Sequence, residues 1–219
     1  MTEAQIEKTQ VTEVYRKIAP IYDGWAWLTE TRARERCLEL AAIRDGERIL
    51  EVAVGTGLAF EKILRSNPSG HNEGIDLTEA MLMRAQRKAA RTGLHNYRLC
   101  VGDACALEFP DLCFDVVINN YMFDLLPEKD FATVLEEFKR VLRPGGRLVL
   151  VNMAIGTKWY HGLWDLIYRI SPALLGGCRS VSLSPHLEHC GYRQIRREFV
   201  SQMTFPSEII TALSPAPSR

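Results

Sequence analysis

The sequence predicts an α/β fold, because short apolar segments alternate with amphipathic ones from residue 47 onward. The first apolar segment runs into a glycine turn that contains Gly55 and Gly57 and precedes a helical pattern. Acidic residues follow three successive apolar segments, at Glu51, Asp76 and Asp103. Ligands of open α/β sheets bind beyond the carboxyl ends of the strands, so these carboxylates are predicted to converge on one crevice.

The residues ahead of this alternating pattern are predicted to be mainly helical. An amphipathic run at 5–20 ends at Pro20, and a second helix is predicted over 31–43. Between them, residues 21–28 are dense in aromatic side chains, including Tyr22, and either plug the sheet or cover a ligand. We therefore predict a helical lid segment at 1–45 and a ligand-binding domain at 46–219.

Strands and helices of the core follow from apolar runs, glycine turns and helical spacing. The predicted strands cover residues 47–54, a short segment ending at 74–77, 97–101, 114–118, 147–152, 194–203 and 207–213. The predicted helices cover 57–66, 79–92, 128–142 and 184–190. The run Arg143–Gly146 carries proline and two glycines, which predicts a tight turn.

Composition and cysteine usage narrow the class of protein. The chain of 219 residues has 27 basic and 27 acidic side chains, so no net field favours nucleic acid as a partner. The six cysteines form no C-x-x-C pair, which is typical of a reduced, cytoplasmic protein. Cys100, Cys105 and Cys113 are close in sequence, but their irregular spacing without a paired histidine predicts no metal site.

The N-terminal residues and the apolar runs predict neither a signal peptide nor a membrane span. The first residues are polar, so no signal peptide is predicted. No apolar run approaches the roughly 20 residues of a membrane span. The aromatic, amphipathic segment 156–178 leaves peripheral contact with a membrane surface open as an alternative.

Two nucleotide-binding patterns compete for the glycine turn. A dinucleotide fingerprint requires G-x-G-x-x-G, and Phe60 stands where its third glycine belongs, which disfavours an NAD-dependent oxidoreductase. Asp76 lies 25 residues after Glu51, where a strand–helix–strand unit places the acid that binds ribose hydroxyls. Asp103 and the backbone of Ala104 could in turn pair with an adenine edge.

An ordered set of motifs carries a family resemblance. It consists of Glu51–Gly57, Gly74–Thr78, Gly102–Ala104, Phe114–Asn120 and Val141–Gly146, with Tyr15–Asp23 ahead of them. This set resembles the class I S-adenosylmethionine (SAM) dependent methyltransferases, and among them the group of quinone C-methyltransferases and phospholipid N-methyltransferases. Residues 119–124 depart from the quinone methyltransferase pattern, so the acceptor stays open.

The resemblance implies a fold, a cofactor and a set of binding residues. The fold would be a Rossmann-like, seven-stranded, mostly parallel sheet with an antiparallel last strand and helices on both faces. The cofactor would be SAM, leaving as S-adenosylhomocysteine, and residues 156–190 would cover the substrate. The implied cofactor-binding residues are Glu51, Ala53, Gly55, Thr56, Gly57, Asp76, Leu77, Asp103, Ala104 and Asn119.

The predicted reaction is in-line transfer of the sulfonium methyl to a small-molecule or lipid acceptor, such as a quinone precursor or a phospholipid head group. A general base is needed only if the acceptor must lose a proton, and the sequence does not select one. The candidates are Tyr22, Tyr121, His161, His186 and His189. The alternatives are a thiol or arsenite methyltransferase and a non-catalytic SAM-binding module.

Overall fold

The computed structural model describes residues 24, 26–154 and 179–215. Within this part of the chain, helices and strands alternate as the sequence predicts, and a short 3₁₀ turn at Phe123–Leu125 follows the fourth strand. The elements in chain order are α1 (Thr31–Ala41), β1 (Arg48–Val52), α2 (Leu58–Ser66), β2 (His71–Asp76), α3 (Glu79–Ala90), β3 (Tyr97–Val101), β4 (Phe114–Asn120), α4 (Phe131–Val141), β5 (Leu142–Met153), α5 (Ser184–His189), β6 (Arg193–Gln202) and β7 (Phe205–Leu213).

The strands form one seven-stranded sheet with the order β3-β2-β1-β4-β5-β7-β6. The neighbours from β3 to β5 pair in parallel, and β7 is antiparallel to both β5 and β6. This confirms the predicted mostly parallel sheet with an antiparallel last strand. The strand order reverses between β1 and β4, so a crevice for a ligand is expected at the carboxyl ends of these two strands.

Helices cover both faces of the sheet, as predicted. On one face, α4 and α5 pack on the core through side chains such as Phe138 and Leu187. On the other face, α1 and α2 contribute Cys37 and Ile63 to a second core. Strand β5 is buried on both sides, which explains its continuous apolar sequence.

Two boundaries differ from the prediction for local reasons. The run Arg143–Gly146 lies within β5 as a bulge, because the register jumps from the pair Phe114–Leu142 to the pair Val116–Arg147. Helix α4 begins three residues later than predicted, because Glu128–Asp130 form a separate 3₁₀ turn.

Several predicted features lie outside the described residues. They are the helix at 5–20, the aromatic connection around Tyr22 and the segment 156–178 with His161. A search of the described helices finds none that is long and apolar enough to cross a membrane.

Candidate cofactor and active site

The loop between β1 and α2 is built on three residues with left-handed backbone. Ala53, Gly55 and Gly57 have φ angles of 58°, 57° and 84°. At Gly57 an added Cβ would lie 2.7 Å from the Cα of Ala85 in α3, so only glycine allows the two helices to approach this closely. Ala53 occupies the position of the first glycine of the motif and retains a side chain there, whose methyl packs against the core.

This loop forms one wall of a cavity at the carboxyl ends of β1 and β4. The space measures about 330 Å³, including the part open to solvent. Its other walls come from α1, from the start of α2 and from the end of β4. The lining residues are Glu30, Arg34, Glu51, Ala53, Val54, Gly55, Thr56, Leu58, Ala59, Asn120 and Tyr121.

Glu51 is the acidic residue of this cavity that has an unpartnered carboxylate oxygen. Its side chain is 1% exposed, and Oε1 accepts a 3.4 Å hydrogen bond from Asn120. The other oxygen, Oε2, has no hydrogen-bond partner among the described residues. Burial raises the pKa of Glu51 to about 8, against the opposing pull of Arg34 and of the Asn120 hydrogen bond. An unsatisfied buried carboxylate oxygen fits a cationic ligand group such as the ammonium of a methionine moiety.

Helix α1 adds a buried ion pair to the same cavity. Arg34 donates a 2.9 Å hydrogen bond to Oε2 of Glu30, and both residues are less than 9% exposed. Neither residue was predicted from the sequence to be part of the site. The sequence pattern could have indicated Arg34, because this residue shares the buried face of a helix with Cys37 and Ala41 at helical spacing. A basic residue on an apolar helix face indicates a buried partner.

Asp76 ties the glycine loop to the end of β2. Its Oδ2 accepts a hydrogen bond from the backbone N–H of Gly55 at 2.8 Å, and its Oδ1 accepts one from the N–H of Thr78, also at 2.8 Å. Burial raises the pKa of Asp76, while these two backbone hydrogen bonds lower it. The next residue, Leu77, is 38% exposed and offers an apolar surface beside the carboxylate.

The third acidic position follows β3. Asp103 accepts a 2.9 Å hydrogen bond from the N–H of Cys105, and Ala104 is buried beside it. The strands β1, β2 and β3 are parallel neighbours, so Glu51, Asp76 and Asp103 lie along the same edge of the sheet.

The two asparagines at the end of β4 face different surroundings. Asn119 is fully buried and donates a 2.8 Å hydrogen bond to the carbonyl of Val52, and it is not among the residues that line the cavity. Asn120 lines the cavity and contacts Glu51. Successive side chains of a strand point to opposite faces, so a shift of one residue changes which asparagine meets the ligand.

Of the three candidates for a general base that the structure describes, Tyr121 lines this cavity and His186 and His189 do not. Tyr121 lines it, but its hydroxyl is 2.7 Å from Oγ of Ser207, and burial raises the pKa of the phenol well above its usual value. The phenol therefore keeps its proton near neutral pH. Of the histidines, His186 packs edge-on against Phe131 and His189 is exposed on α5. Tyr22 and His161 lie outside the described residues.

The described residues offer no group of three His, Cys, Asp or Glu side chains that could hold a metal ion. Burial raises the pKa of both Cys100 and Cys113. A raised thiol pKa disfavours the thiolate that soft acceptor chemistry or metal binding requires.

Comparison with known proteins assigns the chain to a family. Residues 49–146 match a sequence family described as a methyltransferase domain. A solved SAM-dependent methyltransferase from Aquifex aeolicus has the same fold, with 18% identity, a TM-score of 0.61 and coverage of 96% of this chain and 100% of that chain. The chain belongs to the class I SAM-dependent methyltransferases, whose cofactor is SAM.

Within this class the chain is similar to demethylmenaquinone methyltransferases. The protein from Thermus thermophilus is 36% identical over 161 residues, which are 72% of this chain and 70% of that protein. The protein from Listeria monocytogenes serotype 4a is 34% identical over 160 residues, which are 69% of this chain. The match spans 65% of the length of the Listeria protein.

Proposed function

We propose that this protein transfers the methyl group of SAM to a ring carbon of a lipid-soluble quinol. The observation that carries the methyl-donor part is the unpartnered Oε2 of Glu51 in the cavity below the glycine loop. The acceptor part is supported by the similarity to proteins named demethylmenaquinone methyltransferases.

The cavity is complementary in charge to the methionine end of SAM. We expect Glu51 to accept hydrogen bonds from the ammonium group of the cofactor. We expect Arg34 and the first N–H groups of α2 to face the cofactor's methionine carboxylate. Gly55 and Gly57 would lie under the cofactor, with Thr56 between them. Ala53 belongs to the same wall of the cavity.

The adenosine end would extend toward β2 and β3. Asp76 can accept hydrogen bonds from both ribose hydroxyls, because each carboxylate oxygen has lone pairs beyond its backbone bond. Leu77 would pack on the adenine, and Asp103 with the backbone of Ala104 would pair with its edge. Asn120 takes the place at the methionine end that the sequence resemblance assigns to Asn119.

The reaction needs alignment more than activation of the donor. The carbon–sulfur bond of the sulfonium breaks with its electron pair left on sulfur, and a carbon–carbon bond forms to the ring. The ring carbon then loses its proton, and the products are S-adenosylhomocysteine and the methylated quinol. Only the reduced quinol is electron-rich enough to attack, so the acceptor must be supplied in that state. The proposed lid at 1–45 and the cover at 156–190 would exclude water.

The test is transfer of radiolabelled methyl from SAM to defined acceptors by the purified protein. Chemically reduced demethylmenaquinone in detergent micelles is expected to carry the label into the organic phase with equimolar S-adenosylhomocysteine. Parallel reactions contain phosphatidylethanolamine vesicles, a small thiol, or arsenite with the thiol. Label on one of these acceptors and none on the quinol would overturn the acceptor assignment. SAM binding without transfer to any acceptor would indicate a non-catalytic module, and binding of NAD but not SAM would overturn the whole proposal.

A further inference from the structure

A buried carboxyl group at the end of β4 has no role in the cofactor site described above. Asp124 is 0% exposed and lies in the 3₁₀ turn that follows β4. Its Oδ2 accepts a 2.9 Å hydrogen bond from the N–H of Met153, and its backbone carbonyl accepts one from the N–H of Arg179 at 3.3 Å. The remaining carboxylate oxygen, Oδ1, has no hydrogen-bond partner among the described residues.

Two further buried side chains near the ends of β4 and β5 share this feature. Asn152, the residue before Met153, is 0% exposed, and neither its amide oxygen nor its amide nitrogen has a partner in the described part of the chain. The Nε of Arg179 is likewise unpartnered, although its Nη2 donates a 2.7 Å hydrogen bond to the carbonyl of Leu126. Each unsatisfied buried group costs about 1–3 kcal/mol, so several of them at one end of the sheet indicate a polar ligand that completes their hydrogen bonds.

The sheet topology puts this cluster on the acceptor side of the cofactor. The ribose and adenine groups are expected over β2 and β3, on one side of β1. The methionine end is expected over β1 and β4, so the region over the ends of β4 and β5 remains for the acceptor. Asp124 and Asn152 stand at the carboxyl ends of these two strands. The Asp124 carboxyl also interacts electrostatically with Glu30 and Tyr121, which line the cofactor cavity.

We propose that Asp124 accepts the proton that the acceptor loses during methylation, and that Asn152 binds an oxygen of the acceptor. As the methyl carbon bonds to the acceptor and its bond to sulfur breaks, a proton moves from the acceptor to Oδ1 of Asp124. The products are the methylated acceptor, neutral S-adenosylhomocysteine and a protonated carboxyl, which then releases its proton to solvent. The inference rests on the proposed methyl transfer and not on the acceptor being a quinol.

The charges around Asp124 suit a proton acceptor. Among the described residues they are Glu30 and Tyr121, which line the cavity, and Arg179. Burial raises the pKa of Asp124 well above its usual value, Glu30 raises it further, and the Met153 N–H and Arg179 lower it. A raised pKa makes the ionised carboxylate a stronger base for the proton that the acceptor loses. Because only the ionised form accepts a proton, the rate should fall as the pH falls through this raised pKa.

The decisive variant is Asp124→Asn, which keeps an oxygen for the Met153 N–H and removes only the basic group. We expect kcat to fall by about 10²–10⁴-fold, the usual contribution of a general base, with the dissociation constant of SAM unchanged. The rising limb of the kcat–pH profile should disappear. Asp111→Asn is the matched control, because Asp111 is an exposed partner of Arg140 at the other end of α4, and it should behave as wild type. A variant Asp124→Asn with normal kcat and a normal pH profile would overturn the proposal.

A second variant separates substrate binding from folding. Asn152→Leu removes two unsatisfied groups at similar volume, so the melting temperature should be equal to or above that of wild type. The readout is binding of a naphthoquinone analogue, menadione, to the protein saturated with S-adenosylhomocysteine. We expect at least a tenfold loss of affinity for this analogue. Unchanged affinity would exclude Asn152 from the acceptor site. This binding test needs no turnover, so a negative transfer assay and a misplaced acceptor site give different results.

Discussion

The raised pKa of Glu51 leads to a pH dependence of cofactor binding that can be measured without any acceptor. Burial raises this pKa to about 8, so the free protein holds a proton on Glu51 at neutral and acidic pH. An ammonium ligand binds the ionised carboxylate, and that proton must leave first. Affinity for SAM is therefore expected to weaken as the pH falls below 8, and not to strengthen.

The magnitude follows from the fraction of ionised carboxylate. With a pKa of about 8, this fraction falls about 25-fold between about pH 7.5 and about pH 6, which corresponds to about 2 kcal/mol of binding free energy. Isothermal titration calorimetry in buffers of different ionisation enthalpy would also reveal release of a proton on binding near pH 7.

The matched variants are Glu51→Gln and Glu188→Gln, the second at an exposed position of α5. Glu51→Gln should bind SAM weakly at all these pH values and converge with wild type near the acidic end. Glu188→Gln should keep the full dependence. If wild-type affinity is flat across this range, or if Glu51→Gln keeps the slope, then Glu51 does not bind the ammonium group and the placement of the methionine end is wrong.

Three further substitutions test the packing of the site. Ala53→Gly should raise the free energy of unfolding by about 0.5–1 kcal/mol, because glycine removes the left-handed strain at φ 58°. Chemical denaturation measures this change. A loss of stability would show that packing of the Ala53 methyl outweighs the strain. Gly57→Ala should lower the free energy of unfolding by more than about 2 kcal/mol and weaken SAM binding, because the new Cβ would lie 2.7 Å from the Cα of Ala85. A normal melting temperature would contradict this close contact between the two helices. Tyr121→Phe should keep kcat within about twofold of wild type. It should lower the free energy of unfolding by about 1 kcal/mol, because the hydrogen bond to Ser207 is lost. A large drop in kcat with normal folding would indicate that Tyr121 is the general base.

Much of the fold was predictable because its signals are local. The apolar runs that became β1, β4 and β5 are buried on both faces, and this makes them continuous in sequence. The helical spacing of Phe131, Val134 and Phe138 identified the buried face of α4. The bulge at Arg143–Gly146 was predicted only as a turn, because bulge and turn use the same residues and differ in what pairs across from them.

The site was predictable where it depends on strand ends and unpredictable where it depends on distant segments. Asp76 and Asp103 could be placed because parallel strands end at a common edge. Arg34 and Asp124 could not, because α1 reaches the cavity by packing across the sheet and Asp124 is buried by chain that returns after β5. These contacts join residues that are far apart in sequence.

The resemblance of its motifs to a known family indicated a methyltransferase. The sequence by itself determined an α/β fold with a glycine loop and three acids at one edge of the sheet. These features depend on hydrophobic periodicity, on the conformational freedom of glycine and on the geometry of parallel strands. Tertiary structure decided which side chains enter the cavity. Tyr121 has a φ of 54°, which ends the regular alternation of β4 at Asn120. The packing of α1 then places Arg34 on the wall of the same cavity as Glu51, because Arg34 lies on the buried face of that helix.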